Sequence, residues 1–406
     1  MSKVNIKPSK ASGEIMVPPS KSYAHRLLIA AALSSKPTTV SNIDLSNDII
    51  ATINCLKALG KNVEVFKDGE NNKVYISDGI TPQGELVFDC LESGSTLRFF
   101  IPIALATGSK VKFTGTEKLL SRGLAPYEDI CVKQNILYHK EPTSISFEGT
   151  LKSGEFNIPG NISSQFITGL LFSLPLLDGD SVINVTTTLE SSNYIDITLD
   201  VLVKAGIDIH VENNKYYIKG NQKYSSNNYI VEGDYSNAAF LDALNYLGGE
   251  VDLIGLNDNS KQGDKVYQEY FKLLSVGYQE LDISNCIDLG PILFAFSCLK
   301  YGAKFLNTKR LKIKESNRVQ AVITELKKIG AEIIDYDDYV VINKVPLHTP
   351  IEILSGQNDH RIVMMLSVMA SVYGGEIDGI EAVKKSYPSF FEDLKKLGIE
   401  VKHEIS

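Results

Sequence analysis

Residues 325–334 read ELKKIGAEII: an apolar helix end, basic residues, a glycine, then a short run suited to a strand. The pattern returns as CLKALGKNVEVF around Gly60, VLVKAGIDIHV around Gly206, KLLSVGYQEL around Gly277 and DLKKLGIEV around Gly398. A weaker copy, ICVKQNILY, has Asn135 in the glycine place. Glycine, and less often asparagine, suits the left-handed position that ends a helix. The copies stand 75, 71, 71, 53 and 68 residues apart.

A second series keeps step with the first. Small polar clusters open apolar helices at SKSYAHRLLIAAAL near Ser22, SGSTLRFFIPIALA near Ser95 and SSQFITGLLFSL near Ser164. Later copies are DYSNAAFLDAL near Ser236, IDLGPILFAFSCL near Asp288 and NDHRIVMMLSVMA near Asp359, at intervals of 73, 69, 72, 52 and 71 residues. Two series in register at a fixed period mark an internal repeat. Each unit then holds two helices and alternating short strands such as KVYISD and YYIKG. The expectation is an α/β protein of six units, three in each of two domains, with a crossing near residues 223–237. The opening before Pro18–Pro19 fits either half.

The 406 residues are too many for one ordinary core, and 43% hydrophobic with 22% charged residues is normal for a globular chain. No run approaches the roughly 18 apolar residues of a membrane span. The opening MSKVNIKPSKASGEIMVPPS has no apolar signal core, so a cytoplasmic location is expected. Cys55, Cys90, Cys131, Cys286 and Cys298 are scattered and read as reduced thiols. The six histidines show no metal-ligand spacing.

A net charge of −8 argues against a nucleic-acid partner. Small anions remain open if cations are concentrated locally. Only six of the 41 basic residues are arginine: Arg26, Arg98, Arg122, Arg310, Arg318 and Arg361. Arginine gives bidentate, permanently charged contacts to carboxylate and phosphate.

Helix N-termini carry unpaired N–H groups and the positive dipole end, so they suit anions. Any one polar cluster there is ordinarily just a cap. Several carry more. Lys21, Ser22 and Arg26 lie within about one turn of a helix start, and two cations at a positive end call for an anion. In Ser93-Gly94-Ser95 the glycine allows close backbone approach. Arg122 lies in the glycine-bearing Ser-Arg-Gly loop. Ser163, Ser164 and Gln165 offer neutral donors. Asp288 precedes Leu-Gly-Pro, where a plain N-cap is the simplest reading. Lys314, Glu315 and Arg318 precede another helix, Arg361 opens the next, and Lys385 lies in Lys-Lys-Ser-Tyr-Pro.

The motifs PSKS-x-x-HR, SGST-x-R, SRG, ISSQ, S-x-x-YIDIT, KES-x-R, NDHR and KKSYP resemble, in this order, those of EPSP synthases, over Lys21 to Pro388. The resemblance implies the two-domain enolpyruvyl transferase fold, each domain three βαβαββ units, six repeats in all. It implies one domain from residues 1–19 plus 230–406, a second from 20–229, and the active site in the cleft between them. Carried over by position, it implies that Lys21, Ser22, Arg26, Ser163, Ser164, Ser191, Tyr194, Asp288 and Lys314 bind shikimate 3-phosphate. Phosphoenolpyruvate falls to Lys21, Gly94, Arg122, Gln165, Arg318, Arg361 and Lys385. The chain departs from the family's usual residues at Glu92, Ser95, Arg310 and Asn317.

The implied reaction adds the 5-hydroxyl of shikimate 3-phosphate to C2 of phosphoenolpyruvate, then eliminates phosphate. Asp288 is expected as base and Glu315 as acid, with Lys21 and Lys385 sharing proton transfer. No cofactor, no metal and no nucleic-acid or membrane partner is expected, and the resemblance implies a monomer. One alternative is transfer to UDP-N-acetylglucosamine. That sister family carries a reactive Cys or Asp in a mobile loop, and residues 108–121 here, GSKVKFTGTEKLLS, contain neither. The other alternative is a non-catalytic phosphate-ligand binder.

Overall fold

The computed structural model describes residues 2–80 and 83–404. The chain divides into two units, Met1–Pro18 with Gly233–Ser406, and Pro19–Glu232. Each unit has its own apolar core.

The repeat is plainest over residues 86–148. Strand Leu86–Asp89 pairs parallel with Val111–Thr114, which pairs antiparallel with Ser144–Glu148, and Leu137–Glu141 takes the edge. Parallel neighbours need a crossover, and helix Gly94–Ala106 supplies it. Helix Ala125–Gln134 leads into the closing hairpin. The same order recurs over residues 155–218 and 279–343.

Two further sheets borrow strands from far along the chain. Thr38–Ile43 receives Tyr229–Ile230 as its parallel neighbour. Strand Lys3–Ile6 lies between Gly375–Asp378 and Val401–Glu404, antiparallel to both. The remaining sheet has two strands, Ser12–Met16 parallel to Glu250–Ile254. No hairpin follows helix Tyr267–Leu274 there: the next strand, Gln279–Asp282, already belongs to the following sheet. The absent hairpin accounts for the two short intervals, 52 and 53 residues, in the sequence repeat.

Local chemistry sets the helix ends. Asn135 (φ 56°), Gly60 (92°), Gly206 (75°), Gly330 (88°) and Gly398 (84°) adopt the left-handed conformation that stops each second helix, whereas Gly277 does not. Five first helices start on a side chain that accepts a backbone N–H: Ser20, Ser93, Ser163, Asp234 and Asp359. The first helices are buried almost all round, as their uniformly apolar sequences demand.

Pro102 lies inside helix Gly94–Ala106 and has no N–H for the Arg98 carbonyl one turn back. The Tyr127 hydroxyl takes that place, donating to Arg98 O at 2.7 Å. Gly169 on helix Ser164–Ser173 leaves the room, because a Cβ there would collide with Arg98 O and the Tyr127 hydroxyl. Here two helices that carry site residues, Gly94–Ala106 and Ser164–Ser173, pack closely against each other.

Candidate active site

In the unit Pro19–Glu232, helices Lys21–Leu33, Asn47–Ala58 and Gly94–Ala106 are tied together by side chains. His25 Nδ1 lies 2.7 Å from Thr52 Oγ1, which lies 2.8 Å from Thr96 Oγ1, which bonds Ser93 Oγ at 2.7 Å. Burial, with Lys21 and Arg26 nearby, pushes the His25 ring well below its ordinary pKa, so it is neutral. Gln165 bridges the other pair, accepting from Arg98 Nη1 at 2.8 Å and donating to Ser95 Oγ at 2.9 Å.

Arg26 is buried and donates to Thr198 Oγ1 (2.8 Å), Ser22 O (2.8 Å) and Tyr194 O (3.0 Å), with Phe99 under its guanidinium at 5.0 Å. Those acceptors are neutral, and burial lowers its pKa to about 10. A cation so dehydrated is primed for an anion. Lys21 Nζ pairs with Asp48 at 2.8 Å. Ser191, wholly buried, holds a left-handed backbone (φ 55°) at the start of helix Ser192–Lys204, a strained conformation for serine.

Gly94 stands against two guanidinium groups. A Cβ there would come within 2.9 Å of Arg122 Nη1 and 3.0 Å of Arg98 Nη1. Arg122, expected in a loop, ends the short helix Glu117–Ser121. Two arginines converging on a backbone with no side chain form a cradle for an oxyanion. Arg98 was outside the ligand set read from sequence. Its signal was its place one helical turn after Gly94, on the same face. Asp48 had no signal in sequence.

The second unit holds a charge network. Arg318, with 1% of its side chain exposed, donates to Asp288 Oδ1 (2.8 Å), Glu315 Oε2 (2.7 Å) and Asp359 Oδ2 (2.9 Å). Burial opposes its charge, but Asp359, Glu315 and Asp288 together raise its pKa. Asp288 Oδ1 also faces Lys314 Nζ at 3.3 Å, and Oδ2 faces Arg361 at 3.5 Å. Asp288 sits in the 3₁₀ turn Ile287–Leu289; its oxygens serve ion pairs, and the helix after it carries no side-chain cap. Burial lowers Lys314 to about 8, against the pull of Asp288. Buried Asp264, bonded by Ser236 Oγ, is pushed up to about 7 by burial and by Asp288.

Asp359 Oδ1 caps the Arg361 N–H at 3.0 Å, and Ser316 Oγ donates to Oδ2 at 2.9 Å. Lys385 Nζ donates to the Asn358 carbonyl at 2.8 Å. So Asp288, Lys314, Glu315, Arg318 and Arg361 form one cluster, and Lys385 binds the backbone beside it. Asp359 and Asp264 were not in the set read from sequence; Asp359 showed there only as the polar opening of NDHRIVMMLSVMA and in the NDHR motif. No group of His, Cys, Asp and Glu suited to hold a metal occurs among the described residues.

The family model of EPSP synthase (3-phosphoshikimate 1-carboxyvinyltransferase) matches residues 6–394. A curated 3-phosphoshikimate 1-carboxyvinyltransferase of Clostridium perfringens (strain 13 / Type A) is 44% identical, over 98% of this chain and 99% of that one. One of Clostridium acetobutylicum is 43% identical over 100% and 99%. Among solved structures, EPSP synthase from Acinetobacter baumannii superposes with a TM-score of 0.81 at 21% identity, covering both chains fully. The enolpyruvyl transferase NikO from Streptomyces tendae gives 0.78 at 14%, over 100% of this chain and 99% of that one.

Proposed function

We infer that this chain, which belongs to the EPSP synthase family, transfers the enolpyruvyl group of phosphoenolpyruvate to the 5-hydroxyl of shikimate 3-phosphate, a step of the shikimate pathway. The observation that carries the mechanism is the bridge of Asp288 and Glu315 by Arg318. Two carboxylates able to exchange protons share one cation.

Asp288 takes the proton of the 5-hydroxyl as its oxygen attacks C2, and Glu315 delivers a proton to C3. In the elimination the C3 proton returns to a carboxylate, the C–O bond to phosphate breaks, and the double bond re-forms. The Arg318 pairing favours ionised Glu315, and three cations weaken Asp288 as a base. An incoming carboxylate that draws Arg318 and Arg361 to itself frees Glu315 of its cation and leaves Asp288 with Lys314. Substrate binding then prepares the acid and the base together.

Shikimate 3-phosphate is assigned to Lys21, Ser22, Arg26, Ser163, Ser164, Ser191, Tyr194, Asp288 and Lys314. Phosphoenolpyruvate is assigned to Lys21, Gly94, Arg122, Gln165, Arg318, Arg361 and Lys385. The Arg98–Gly94–Arg122 cradle supports the phosphate end of that set. No helix among the described residues is long and apolar enough to cross a membrane. We place the enzyme in the cytoplasm as a monomer without nucleic-acid partners, acting without a cofactor.

The test is phosphate release from phosphoenolpyruvate with shikimate 3-phosphate or UDP-N-acetylglucosamine, each with EDTA. Release with shikimate 3-phosphate alone is expected. Release with the nucleotide sugar alone overturns the acceptor, and release with neither leaves a binder.

A further inference from the structure

Helix Arg318–Lys327 grips one segment at two points. Arg318, as described, holds Asp359. Seven residues on, on the same helical face, Glu325 is also buried, with 1% of its side chain exposed. Its Oε2 accepts from the Ser355 N–H at 2.7 Å and from Lys328 Nζ at 2.7 Å. Its Oε1 accepts from Gln357 Nε2 at 2.7 Å. The network of ion pairs described above does not include it, and a carboxylate buried this deeply needs a reason to be there.

The segment it holds is strained. Gln357 (φ 51°) and Asn358 (φ 50°) are consecutive non-glycine residues in the left-handed region. Such a pair persists only where surrounding bonds dictate it. Here the bonds are Glu325 at one side, Gly356 N–H to Asp378 O at 3.0 Å, and Asp359 N–H to Gly356 O at 2.9 Å. The product of this turn is the placement of the Asn358 carbonyl that receives Lys385, followed at once by Asp359, which receives Arg318 and caps Arg361.

We propose that Glu325 is a positioning residue for the reaction: by clamping Ser355 and Gln357 it fixes the 355–359 turn, and through it the places of Lys385 and Asp359. Glu325 itself touches no substrate. The link to catalysis rests on the assignment of Lys385 as a phosphoenolpyruvate contact.

Glu325→Ala removes three accepted bonds, whereas Glu325→Gln keeps the shape and an oxygen for the Ser355 N–H. Three quantities are read on full-length folded enzyme: the rate of acetic anhydride labelling at Lys385 by peptide mass spectrometry, KM for phosphoenolpyruvate, and Kd for shikimate 3-phosphate. The alanine variant is expected to label Lys385 severalfold faster. Its phosphoenolpyruvate KM should rise roughly tenfold or more, as for a contact displaced by about 1 Å, with shikimate 3-phosphate Kd unchanged. Glutamine should restore most of both. Should the alanine variant not fold, Gln357→Ala, at an exposed position, removes one of the same bonds and should move both readouts in the same direction. Wild-type labelling in a folded Glu325→Ala or Gln357→Ala variant overturns the proposal, as does an equal loss of affinity for both substrates. Faster labelling with unchanged phosphoenolpyruvate KM upholds the positioning and instead removes Lys385 from the ligand set.

Discussion

Glu315 and Lys314, neighbours in the chain, are assigned different tasks, one as proton donor and the other as a shikimate 3-phosphate contact. Glu315→Gln keeps a hydrogen-bond partner for Arg318 but has no proton to give. Turnover is expected to fall by roughly 10²–10⁴ with substrate affinities nearly unchanged, as steady-state kinetics and calorimetry will show. Lys314 has a pKa of about 8 when its ordinary value is 10.5. Above about 8 the free enzyme loses this positive charge, so kcat/KM for shikimate 3-phosphate should decline on that alkaline limb. Lys314→Arg should move the limb upward. The linked stability has the opposite trend: the unfolded chain holds the proton the folded one has lost, so this site favours folding more as pH climbs from about 8 towards 10.5. Asp264, raised to about 7 from 3.8, keeps a proton the unfolded chain releases. Its contribution to stability therefore falls as pH rises between those values. Asp264→Asn should flatten that slope in urea titrations from pH 5 to 8.

Between elements, the sharpest dependence is the one created by Pro102. Proline leaves the Arg98 carbonyl without its helical donor, and Tyr127 from another helix answers it. Tyr127→Phe should cost about 1–3 kcal/mol in urea unfolding, the penalty of a buried carbonyl left unsatisfied. The helix starts were legible because capping acts within three residues: Ser20, Ser93, Ser163, Asp234 and Asp359 each accept from the N–H two or three positions on. Arg122 was not, since a glycine-bearing tripeptide reads as loop, although the short helix before it starts on a Thr116 cap and buries Leu119 and Leu120.

Across the whole molecule, the chain ends decide whether one unit holds together. Lys3–Ile6 is an interior strand, with four paired positions on each side. Deleting residues 2–8 would expose two sheet edges and uncover Val4 and Ile6, both fully buried. Loss of the cooperative unfolding transition, with rapid proteolysis after residue 233, is the expected result in limited digestion. Periodicity alone left this opening strand attachable to either half, and only the family resemblance joined it to residues after 230, because a strand of four residues carries no mark of a partner some 370–400 residues away.

What the sequence by itself determined were the six-unit period, the helix ends and the concentration of arginine and lysine at helix starts. Each depends on contacts a few residues long, and glycine conformation and capping leave direct traces in spelling. Tertiary structure decided which charges meet. Lys21 finds Asp48 27 residues on, Arg318 finds Asp288 and Asp359 at separations of 30 and 41, and Glu325 finds Ser355 and Gln357 at 30 and 32. An ion pair depends on distance and dehydration in space, which residue order does not encode. For the same reason the fourth unit's missing hairpin appeared in sequence only as a shortened interval, and became a structural fact when the strands were paired.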